Sequence, residues 1–258
     1  MTGLCAALCE LLGISAPSHA EAPDRTLAEY GKKRFGEGRA DRLFLYNPDA
    51  IGTHIAERYP ELLSPVTERC ELAVPFCTVM PSVTPVCFAS FYTGTFPEVH
   101  GIQSYTKPVV RTDSLFDAAL RAGLRPAMVS TEGDSLSMIF LEREMDYFIY
   151  PTLEEVNAKA EELIQRDEHD IICVYNGNYD ATMHRFGPHS PEALEELKRN
   201  VAAFARFSDL IDENWNPHRT VLGFAMDHGC HDIDGGLGSH GLAMEEDLFI
   251  THFYRFKG

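Results

Sequence analysis

The stretch Arg42-Leu43-Phe44-Leu45-Tyr46-Asn47-Pro48-Asp49 gives the clearest indication of the fold. Its apolar run has the length of a strand and shows no polar alternation, which predicts a strand buried on both faces. Residues 170–175 and 220–226 repeat this pattern. Further strands are predicted at residues 71–76 and 125–130, and the loose alternation of residues 248–256 predicts an edge strand.

Helical patterns separate these strands and occupy residues 85–92, 114–122, 153–166 and 191–212. Strands that alternate with helices predict an α/β fold, a doubly wound and mostly parallel central sheet with helices on both faces. The chain shows neither an internal repeat nor a linker. We therefore expect residues 1–258 to form a single catalytic domain, with residues 1–40 as an N-terminal helical extension.

Three carboxylates lie at or just beyond the ends of buried strands. Asp49 ends the first strand, Asp180 follows residues 170–175, and Asp227 directly follows residues 220–226. In open α/β sheets, ligands bind in the crevice at the carboxyl ends of the strands. We therefore expect the three carboxylates to meet at one edge of the sheet and to form part of a site.

The composition excludes several classes of partner. With 45% hydrophobic and 24% charged residues, the chain has the balance of an ordinary globular domain. Its apolar runs are too short to cross a bilayer. The formal net charge of −17 argues against nucleic-acid polymers and anionic membrane surfaces as partners. If an acidic protein of this kind handles phosphate, bound metal is the obvious source of local positive charge.

The N-terminal residues 1–22 contain the small residues of a signal peptide, but Glu10 interrupts the apolar run and the start is not basic. A short amphipathic helix is the favoured interpretation, with Cys5 and Cys9 packing from one face. The seven cysteines show no Cys-x-x-Cys spacing. This usage favours reduced thiols, and hence a cytoplasmic location.

The stretch Met80-Pro81-Ser82-Val83-Thr84-Pro85 places a hydroxyl where a predicted helix begins. As an N-cap, Thr84 would satisfy one of the free backbone N–H groups of that helix. The same position suits a nucleophile, because the N-terminus of a helix favours phosphate oxygens. A neutral hydroxyl would also need activation, for example by a metal ion. Both interpretations remain open from the residues alone.

Residues of metal-ligand type recur further along the chain. Asp180 and His184 are four residues apart and converge if their segment is helical. Asp227-His228-Gly229 follows a predicted strand, and His240 lies in a glycine-rich stretch. Each has a simpler alternative, namely a solvated pair, a turn or a flexible loop. Together, one hydroxyl, three carboxylates and three imidazoles are the donor set of a two-metal phosphoryl-transfer site.

The combined pattern resembles the alkaline phosphatase superfamily, nearest to its type I phosphodiesterase/nucleotide pyrophosphatase and phosphonoacetate hydrolase branch. The resemblance implies an alkaline-phosphatase-like fold with a minimal cap. It also implies a metal-dependent hydrolase of phosphoric esters that acts on a small-molecule substrate. The matching positions are Asp49, residues 81–84, Thr93-Gly94, residues 97–102, Asp180, His184, residues 227–229 and His240-Gly241.

The resemblance further implies two divalent metal ions as cofactors, with zinc as the first expectation and manganese as the alternative. Thr84 would be both a metal ligand and the catalytic residue. The implied ligands form two sets, Asp180, His184 and His240 for one ion, and Asp49, Asp227 and His228 with Thr84 for the other.

In the implied mechanism, the Thr84 hydroxyl attacks phosphorus and forms a phosphothreonine, which water then hydrolyses. Phosphodiesterase or nucleotide pyrophosphatase activity is the first hypothesis. A phosphomonoesterase, a phosphonate hydrolase and a non-catalytic metal- or phosphate-binding relative remain open, as does a homo-oligomer. A sulfatase is disfavoured, since the chain has no Cys-x-Pro-x-Arg stretch.

Several neighbouring residues carry weaker expectations. Cys87 stands where the resemblance leads us to expect an asparagine donor, and Lys107 or Arg111 is an alternative positive contact. His100 is expected to orient a loop. Three further residues are expected to support the site from outside or to be solvated, namely His231, Asp232 and Asp234.

Overall fold

The buried strands that the apolar stretches predict are present. A computed structural model describes residues 1–36 and 38–258 of the protein. In these ranges the strands are β1 (Arg42–Pro48), β2 (Leu72–Cys77), β3 (Pro126–Thr131), β4 (Asp146–Tyr150), β5 (Ile171–Asn176), β6 (Thr220–Phe224), β7 (His231–Ile233), β8 (Leu237–Ser239) and β9 (Phe249–Lys257).

The helices of the described residues include four long ones and several of one or two turns. They are α1 (Leu4–Leu12), α2 (Arg25–Phe35), α3 (Thr53–Arg58), α4 (Pro60–Thr67), α5 (Thr84–Thr93), α6 (Pro97–His100), α7 (Leu115–Arg121), α8 (Ser135–Phe140), α9 (Leu153–Arg166), α10 (Asn178–Phe186), α11 (Pro191–Asn214) and α12 (Glu245–Leu248).

Seven strands form one sheet in the order β2-β9-β6-β1-β5-β3-β4. The five strands from β6 to β4 are parallel, whereas β9 runs antiparallel to both β2 and β6. Strand β1 lies at the centre, where Leu45 pairs with Cys173 of β5 on one side and with Gly223 of β6 on the other. The α/β class with a mostly parallel sheet is therefore confirmed.

Helices cover both faces of this sheet. Successive residues of a strand point to opposite faces, and Tyr46 and Asn47 of β1 show what lies on each. The hydroxyl of Tyr46 donates to Asn200 of α11 at 3.0 Å. The side chain of Asn47 accepts from the hydroxyl of Tyr92, on α5, at 2.6 Å. Helix α11 thus packs on one face and α5 on the other, as the doubly wound pattern predicts.

The prediction of an edge strand at residues 248–256 is wrong. Strand β9 lies inside the sheet, between β2 and β6, and the edges are β2 and β4. Loose alternation misled the prediction, because an antiparallel strand covered from both sides still buries its two faces unequally. Strand β4 was not predicted. Its five residues begin with the exposed Asp146, and the other four are only half-buried.

Residues 1–22 differ from the amphipathic helix that their sequence suggests. Within them only Leu4–Leu12 is helical, and every residue of this helix except Glu10 is buried. Gly31 of α2 allows the close approach of the two N-terminal helices, since a Cβ there would lie 1.9 Å from Cδ2 of Leu11. The described part of residues 1–40 therefore contains two helices, and both contribute residues to the hydrophobic core.

Within residues 1–36 and 38–258, the chain has no helix that combines the length and the apolarity needed to span a membrane.

Replacing Leu8 by alanine tests whether α1 belongs to the core. Leu8 is fully buried, so its truncation should lower the free energy of unfolding by about 2–5 kcal/mol, measured by urea denaturation. Glu10→Ala on the exposed side of the same helix should change it by less than about 0.5 kcal/mol. Equal, small effects would show that α1 is peripheral.

Candidate active site

Three parallel strands deliver the predicted carboxylates to one edge of the sheet. Asp49 follows β1, and its backbone N–H donates to the carbonyl of Asn176 at the end of β5. Asp180 lies in the first turn of α10, which begins directly after β5. Asp227 follows β6. Because β1 is hydrogen-bonded to both β5 and β6, the three strand ends are adjacent, and the predicted meeting of the carboxylates is observed.

Thr84 is the first residue of α5, and Val83 occupies the N-cap position. The hydroxyl of Thr84 is buried and makes two contacts outside the helix. Its Oγ1 lies 3.3 Å from Oδ2 of Asp49 and 3.3 Å from Nε2 of His228. The interpretation of Thr84 as a simple N-cap is therefore wrong, and its hydroxyl faces the cluster of ligand-type residues.

Asp49, Asp227 and His228 form one group, here called the inner triad. Nε2 of His228 lies 3.4 Å from Oδ1 of Asp49 and 3.3 Å from Oδ2 of Asp227. The side chains of all three are at most 2% exposed. Such complete burial of two carboxylates beside one imidazole is expensive unless a cation or a proton is present.

Asp180, His184 and His240 form a second group, here called the outer triad. Oδ1 of Asp180 lies 3.3 Å from Nε2 of each imidazole. The outer triad is more open, with 40% of the His184 side chain exposed. The ring centroids of His228 and His240 are 4.1 Å apart, so the two triads are direct neighbours.

All three imidazoles are held in the same way. Nδ1 of His184 lies 3.0 Å from the carbonyl oxygen of Gly238, that of His228 lies 2.9 Å from the carbonyl of Gly229, and that of His240 lies 3.0 Å from the carbonyl of Ser82. A carbonyl only accepts, so each Nδ1 carries the proton and each Nε2 keeps a free lone pair. Neutral imidazoles fixed in this tautomer are ready to bind a metal ion.

The carboxylates leave matching oxygen atoms without partners. Oδ1 of Asp49, Oδ1 of Asp180 and Oδ2 of Asp227 are buried and accept no hydrogen bond from any described residue. These are the same oxygens that lie within 3.4 Å of the imidazole Nε2 atoms. These acceptor oxygens and nitrogen lone pairs converge with no hydrogen-bond donor between them, an arrangement that fits two divalent cations. Oxygen and nitrogen ligands of this kind suit zinc or manganese.

Burial dominates the ionisation of the inner triad. It raises the pKa of Asp49 from its ordinary 3.8 to about 7, with a further contribution from the negative charge of Asp180. Burial, reinforced by Asp49, also raises the pKa of Asp227 well above its usual range. The pKa of His228 falls to about 3 because burial disfavours its charged form. Without a metal ion, the inner triad therefore holds protons on carboxylates rather than on imidazole.

In the outer triad, interactions between neighbouring side chains outweigh burial in setting the pKa values. Burial alone would raise the pKa of Asp180, but the close imidazoles of His184 and His240, each 3.3 Å away, outweigh it and lower that pKa. The neighbouring carboxylate of Asp180 in turn raises the pKa of His184. For His240, burial lowers the pKa and the same carboxylate raises it, with a net increase. Asp180 thus carries its negative charge toward two imidazoles.

Tyr175, at the end of β5, is a site residue that the sequence did not reveal. Its buried hydroxyl donates a hydrogen bond to Oδ2 of Asp49, which holds that carboxylate from behind. The ring also packs edge-on against Phe88 at a centroid distance of 5.7 Å. A tyrosine at the end of an apolar run looks like core, and only the pairing of β1 with β5 brings it beside Asp49.

The other histidines and acids of this region support the surrounding loops. His100 contacts Oγ of Ser90 at 2.9 Å and the backbone N–H of Ile102 at 3.2 Å, which matches a structural role. His231 contacts buried Asp247 at 2.7 Å. Asp232 is exposed and pairs with His189 at 3.5 Å, and Asp234 is exposed on the β7–β8 turn.

Cys87, Lys107 and Arg111, which the sequence suggested as contacts for a substrate oxygen, make other contacts in the structure. Cys87 is fully buried, and its sulfur lies 3.1 Å from Oγ1 of Thr78, so position 87 points into the protein. Arg111 is exposed and pairs with Glu142 at 2.7 Å. Lys107 donates to the carbonyl of Gly133 at 2.7 Å. The side chain of Cys87 is thus as fully buried as those of Asp227 and His228.

Residues 140–249 match the family model described as type I phosphodiesterase / nucleotide pyrophosphatase. The resemblance to this branch is confirmed. The matched segment contains the whole outer triad together with Asp227 and His228. No curated protein sequence matches the chain.

Solved structures share the fold. Murine ectonucleotide pyrophosphatase/phosphodiesterase 5 superposes with a TM-score of 0.59 at 16% identity, covering 75% of this chain and 58% of that one. Its human counterpart gives 0.58 at 16% identity, with the same coverages. Phosphonoacetate hydrolase from Sinorhizobium meliloti 1021, in complex with phosphonoformate, gives 0.57 at 21% identity and covers 77% and 59%. The chain thus spans less than three fifths of the length of these neighbours.

Replacing Tyr175 by phenylalanine should weaken metal binding. Loss of the hydrogen bond to Asp49 leaves this carboxylate less well oriented, and zinc affinity at the inner triad should fall about 10–100-fold, measured by competitive calorimetric titration. Tyr46→Phe is the matched control, because its buried hydroxyl contacts only asparagines. An unchanged zinc affinity in Tyr175→Phe would contradict the positioning role.

Metal-free protein should show a defined pH dependence at Asp49. Its pKa in the folded state, about 7, exceeds the ordinary 3.8, so the folded state binds more protons between these values. The unfolding free energy of the wild type relative to Asp49→Asn should therefore fall, on the order of a few kcal/mol, as pH rises from about 4 to about 7.

His228 contributes with the opposite sign in that window, which is why the difference from the variant is the quantity to measure, by urea denaturation in chelator. Zinc should restore stability at neutral pH, because it binds only the folded protein. A relative stability that is independent of pH would contradict the raised pKa of Asp49.

Proposed function

We propose that this protein is a metal-dependent hydrolase of phosphoric esters that acts on small molecules, with Thr84 as nucleophile. The inner and outer triads would each hold one divalent ion, zinc as the first choice and manganese as the alternative. Residues 1–258 would work as one catalytic domain. This is the phosphodiesterase and nucleotide pyrophosphatase type of activity.

One observation carries the proposal. Three buried, unpartnered carboxylate oxygens and the Nε2 atoms of three imidazoles converge beside the buried hydroxyl of Thr84. A structural cluster would pair its donors with its acceptors, because each unpaired buried polar atom costs free energy. Here the excess consists of acceptors only, which is the arrangement that a cation site requires.

The comparisons support the same class of chemistry. The matched family model is that of phosphodiesterases and nucleotide pyrophosphatases, and it covers five of the six triad residues. One similar structure is an inactive form of the murine protein, with a single threonine replaced by alanine, in complex with AMP. Phosphodiester or nucleotide-like substrates are therefore the first to test.

The residues of the chain suggest how the reaction proceeds. Oγ1 of Thr84 forms a bond to phosphorus while the bond from phosphorus to the leaving oxygen breaks, and water later cleaves the resulting phosphothreonine. Oδ2 of Asp49 lies 3.3 Å from Oγ1 of Thr84, so this carboxylate can accept the hydroxyl proton. The two divalent ions, when bound, supply Lewis acidity that stabilises charge on the attacking and leaving oxygens. Tyr175 keeps Asp49 in place throughout.

Phosphonate hydrolysis is a second candidate. Phosphonoacetate hydrolase has 21% identity and a TM-score of 0.57, and a second similar structure of it contains phosphonoacetate. The same triads and hydroxyl suit attack on a phosphonate phosphorus, with carbon rather than oxygen as the leaving atom.

Thr84→Ala should retain zinc at both triads and lose at least about 10³-fold in turnover, because the covalent route is removed. Initial rates on an aryl phosphodiester and its monoester, with zinc content measured by mass spectrometry, would check both parts. Acid-quenched wild-type protein should contain phosphothreonine at position 84. Thr67→Ala, which changes an exposed threonine, provides the matched control.

Near wild-type rates in Thr84→Ala would refute the nucleophile assignment. Zinc content of one ion per chain or fewer in the zinc-loaded wild type would refute the two-metal site. A phosphonate cleaved faster than either ester would favour the second candidate.

A further inference from the structure

One buried carboxylate outside the two triads joins the segments that carry their histidines. Asp247 lies in the single turn of α12 and is fully buried. Its Oδ1 accepts from Nδ1 of His231 at 2.7 Å, and its Oδ2 accepts from the backbone N–H of Leu242 at 2.8 Å. His231 follows His228 by three residues, and Leu242 follows His240 by two. One side chain therefore holds the neighbourhoods of an inner-triad ligand and an outer-triad ligand.

The backbone of α12 reinforces the first of these contacts. The carbonyl oxygen of Asp247 accepts from the N–H of Gly229 at 2.9 Å. A Cβ at Gly229 would lie 1.9 Å from the carbonyl oxygen of Glu246, so this segment packs directly against α12. Residues 227–231 are thus attached to α12 twice, by the N–H of Gly229 and by the side chain of His231.

The same turn reaches the segment that precedes the Thr84 hydroxyl. The backbone N–H of Thr78 donates to the carbonyl of Leu248 at 2.8 Å. The hydroxyl of Thr78 donates to the carbonyl of Asp227 at 2.7 Å. Helix α12 is therefore a common support for segments that lead to the hydroxyl and to both triads.

The chemistry of a carboxylate explains why an acid lies at this position. Burying a carboxylate costs free energy, and an apolar side chain could fill the same space. A carboxylate, however, has two oxygens that accept from different directions. At Asp247 these oxygens serve two segments at once, and without them the donors of His231 and Leu242 would be buried or half-buried without this acceptor.

The closeness of the triads makes their relative position important. The ring centroids of His228 and His240 are 4.1 Å apart, and Nε2 of His240 lies 3.3 Å from Oδ1 of Asp180. Metal–ligand distances are fixed to within about 0.2 Å. A small shift of either histidine-bearing segment would therefore disturb metal binding.

We infer that Asp247 is a positioning residue that fixes the inner and outer triads relative to each other. It acts on metal binding through His231 and the backbone of Leu242, and it touches neither the metal ions nor the substrate. This inference rests on the proposed function, because it requires metal ions at the triads.

Asp247→Asn tests this role. It replaces one acceptor oxygen by an amide, which leaves either His231 or the N–H of Leu242 without an acceptor. Zinc affinity, measured by competitive calorimetric titration, should fall about tenfold or more at each triad. To measure the triads separately, the substitution is made in His184→Ala, where the outer triad is incomplete, and in Asp49→Asn, where the inner triad is incomplete.

Asp170→Asn is the matched control. The carboxylate of Asp170 also accepts from one side chain, that of Arg42 at 2.7 Å, and from one backbone N–H, that of Arg125 at 2.8 Å. It directly precedes β5, at the edge of the sheet opposite to the triads, so its substitution should leave zinc affinity unchanged. An equal loss of zinc affinity in Asp170→Asn would indicate a general loss of stability and would overturn the inference.

Cobalt provides a readout that overall stability does not change. At saturating Co²⁺, the visible absorption of the bound ion reports its coordination geometry. Asp247→Asn should alter this spectrum, and Asp170→Asn should not. If Asp247→Asn does not fold, His231→Ala takes its place. It removes only the side-chain contact to residues 227–231, so zinc affinity should fall more at the inner triad than at the outer. Unchanged cobalt spectra and zinc affinities in a folded variant would contradict the positioning role.

The outcomes separate this inference from the proposed function. If both triads bind zinc and depend on Asp247, but no phosphoric ester is hydrolysed, the proposed function fails and the positioning role stands. If esters are hydrolysed and Asp247→Asn binds zinc as tightly as the wild type, the positioning role fails and the proposed function stands. If the wild type binds neither zinc nor manganese, both fail.

Discussion

The crowding of three carboxylates at one edge of a parallel sheet is the constraint on which the rest of the structure depends. Asp49, Asp180 and Asp227 come from adjacent strand ends and lie within the reach of one another's charge. Such a group destabilises the folded state unless protons or cations neutralise it. The neutral imidazoles, the Thr84 hydroxyl and the Tyr175 hydroxyl are all arranged around this charge. The same arrangement makes this edge of the sheet a candidate site for cations.

The two triads differ in their number of carboxylates and in their exposure to solvent. The inner triad is sealed and contains two carboxylates, whereas the outer triad contains one and reaches solvent through His184. Thr84 belongs to the inner group, so a nucleophilic oxygen would be generated on the protein side of the cleft. Under the proposed function, the open side near α10 is left for the substrate. The difference in burial between the two triads would then set the direction from which a phosphate ester arrives.

Much of this was predictable from the sequence, for local reasons. The apolar runs that became β1, β5 and β6 each fix the strand end that carries a carboxylate, and α10 brings Asp180 and His184 together over one turn. The features that the sequence did not predict depend on pairing between distant segments. Insertion of β9 between β2 and β6, and the contact of Tyr175 with Asp49, arise only when the sheet is assembled. The burial of α1 likewise depends on its packing against α2, α5 and α7 rather than on its own pattern.

The supports of the ligands differ in how well they withstand sequence drift. The three imidazoles are oriented by backbone carbonyls, which a substitution can displace but cannot delete. At Gly229 and Gly238 a Cβ would lie 1.9 Å and 2.6 Å from backbone carbonyl oxygens, so these two supports stay in place only while glycine is kept. Asp49, in contrast, is held by a side chain, and a single change of Tyr175 to phenylalanine removes that support without a steric clash. As lineages of this protein diverge, the carboxylate half of the inner triad could therefore loosen while both glycines, and with them the imidazole geometry, are retained. Such a descendant would still carry all three histidines of the two triads.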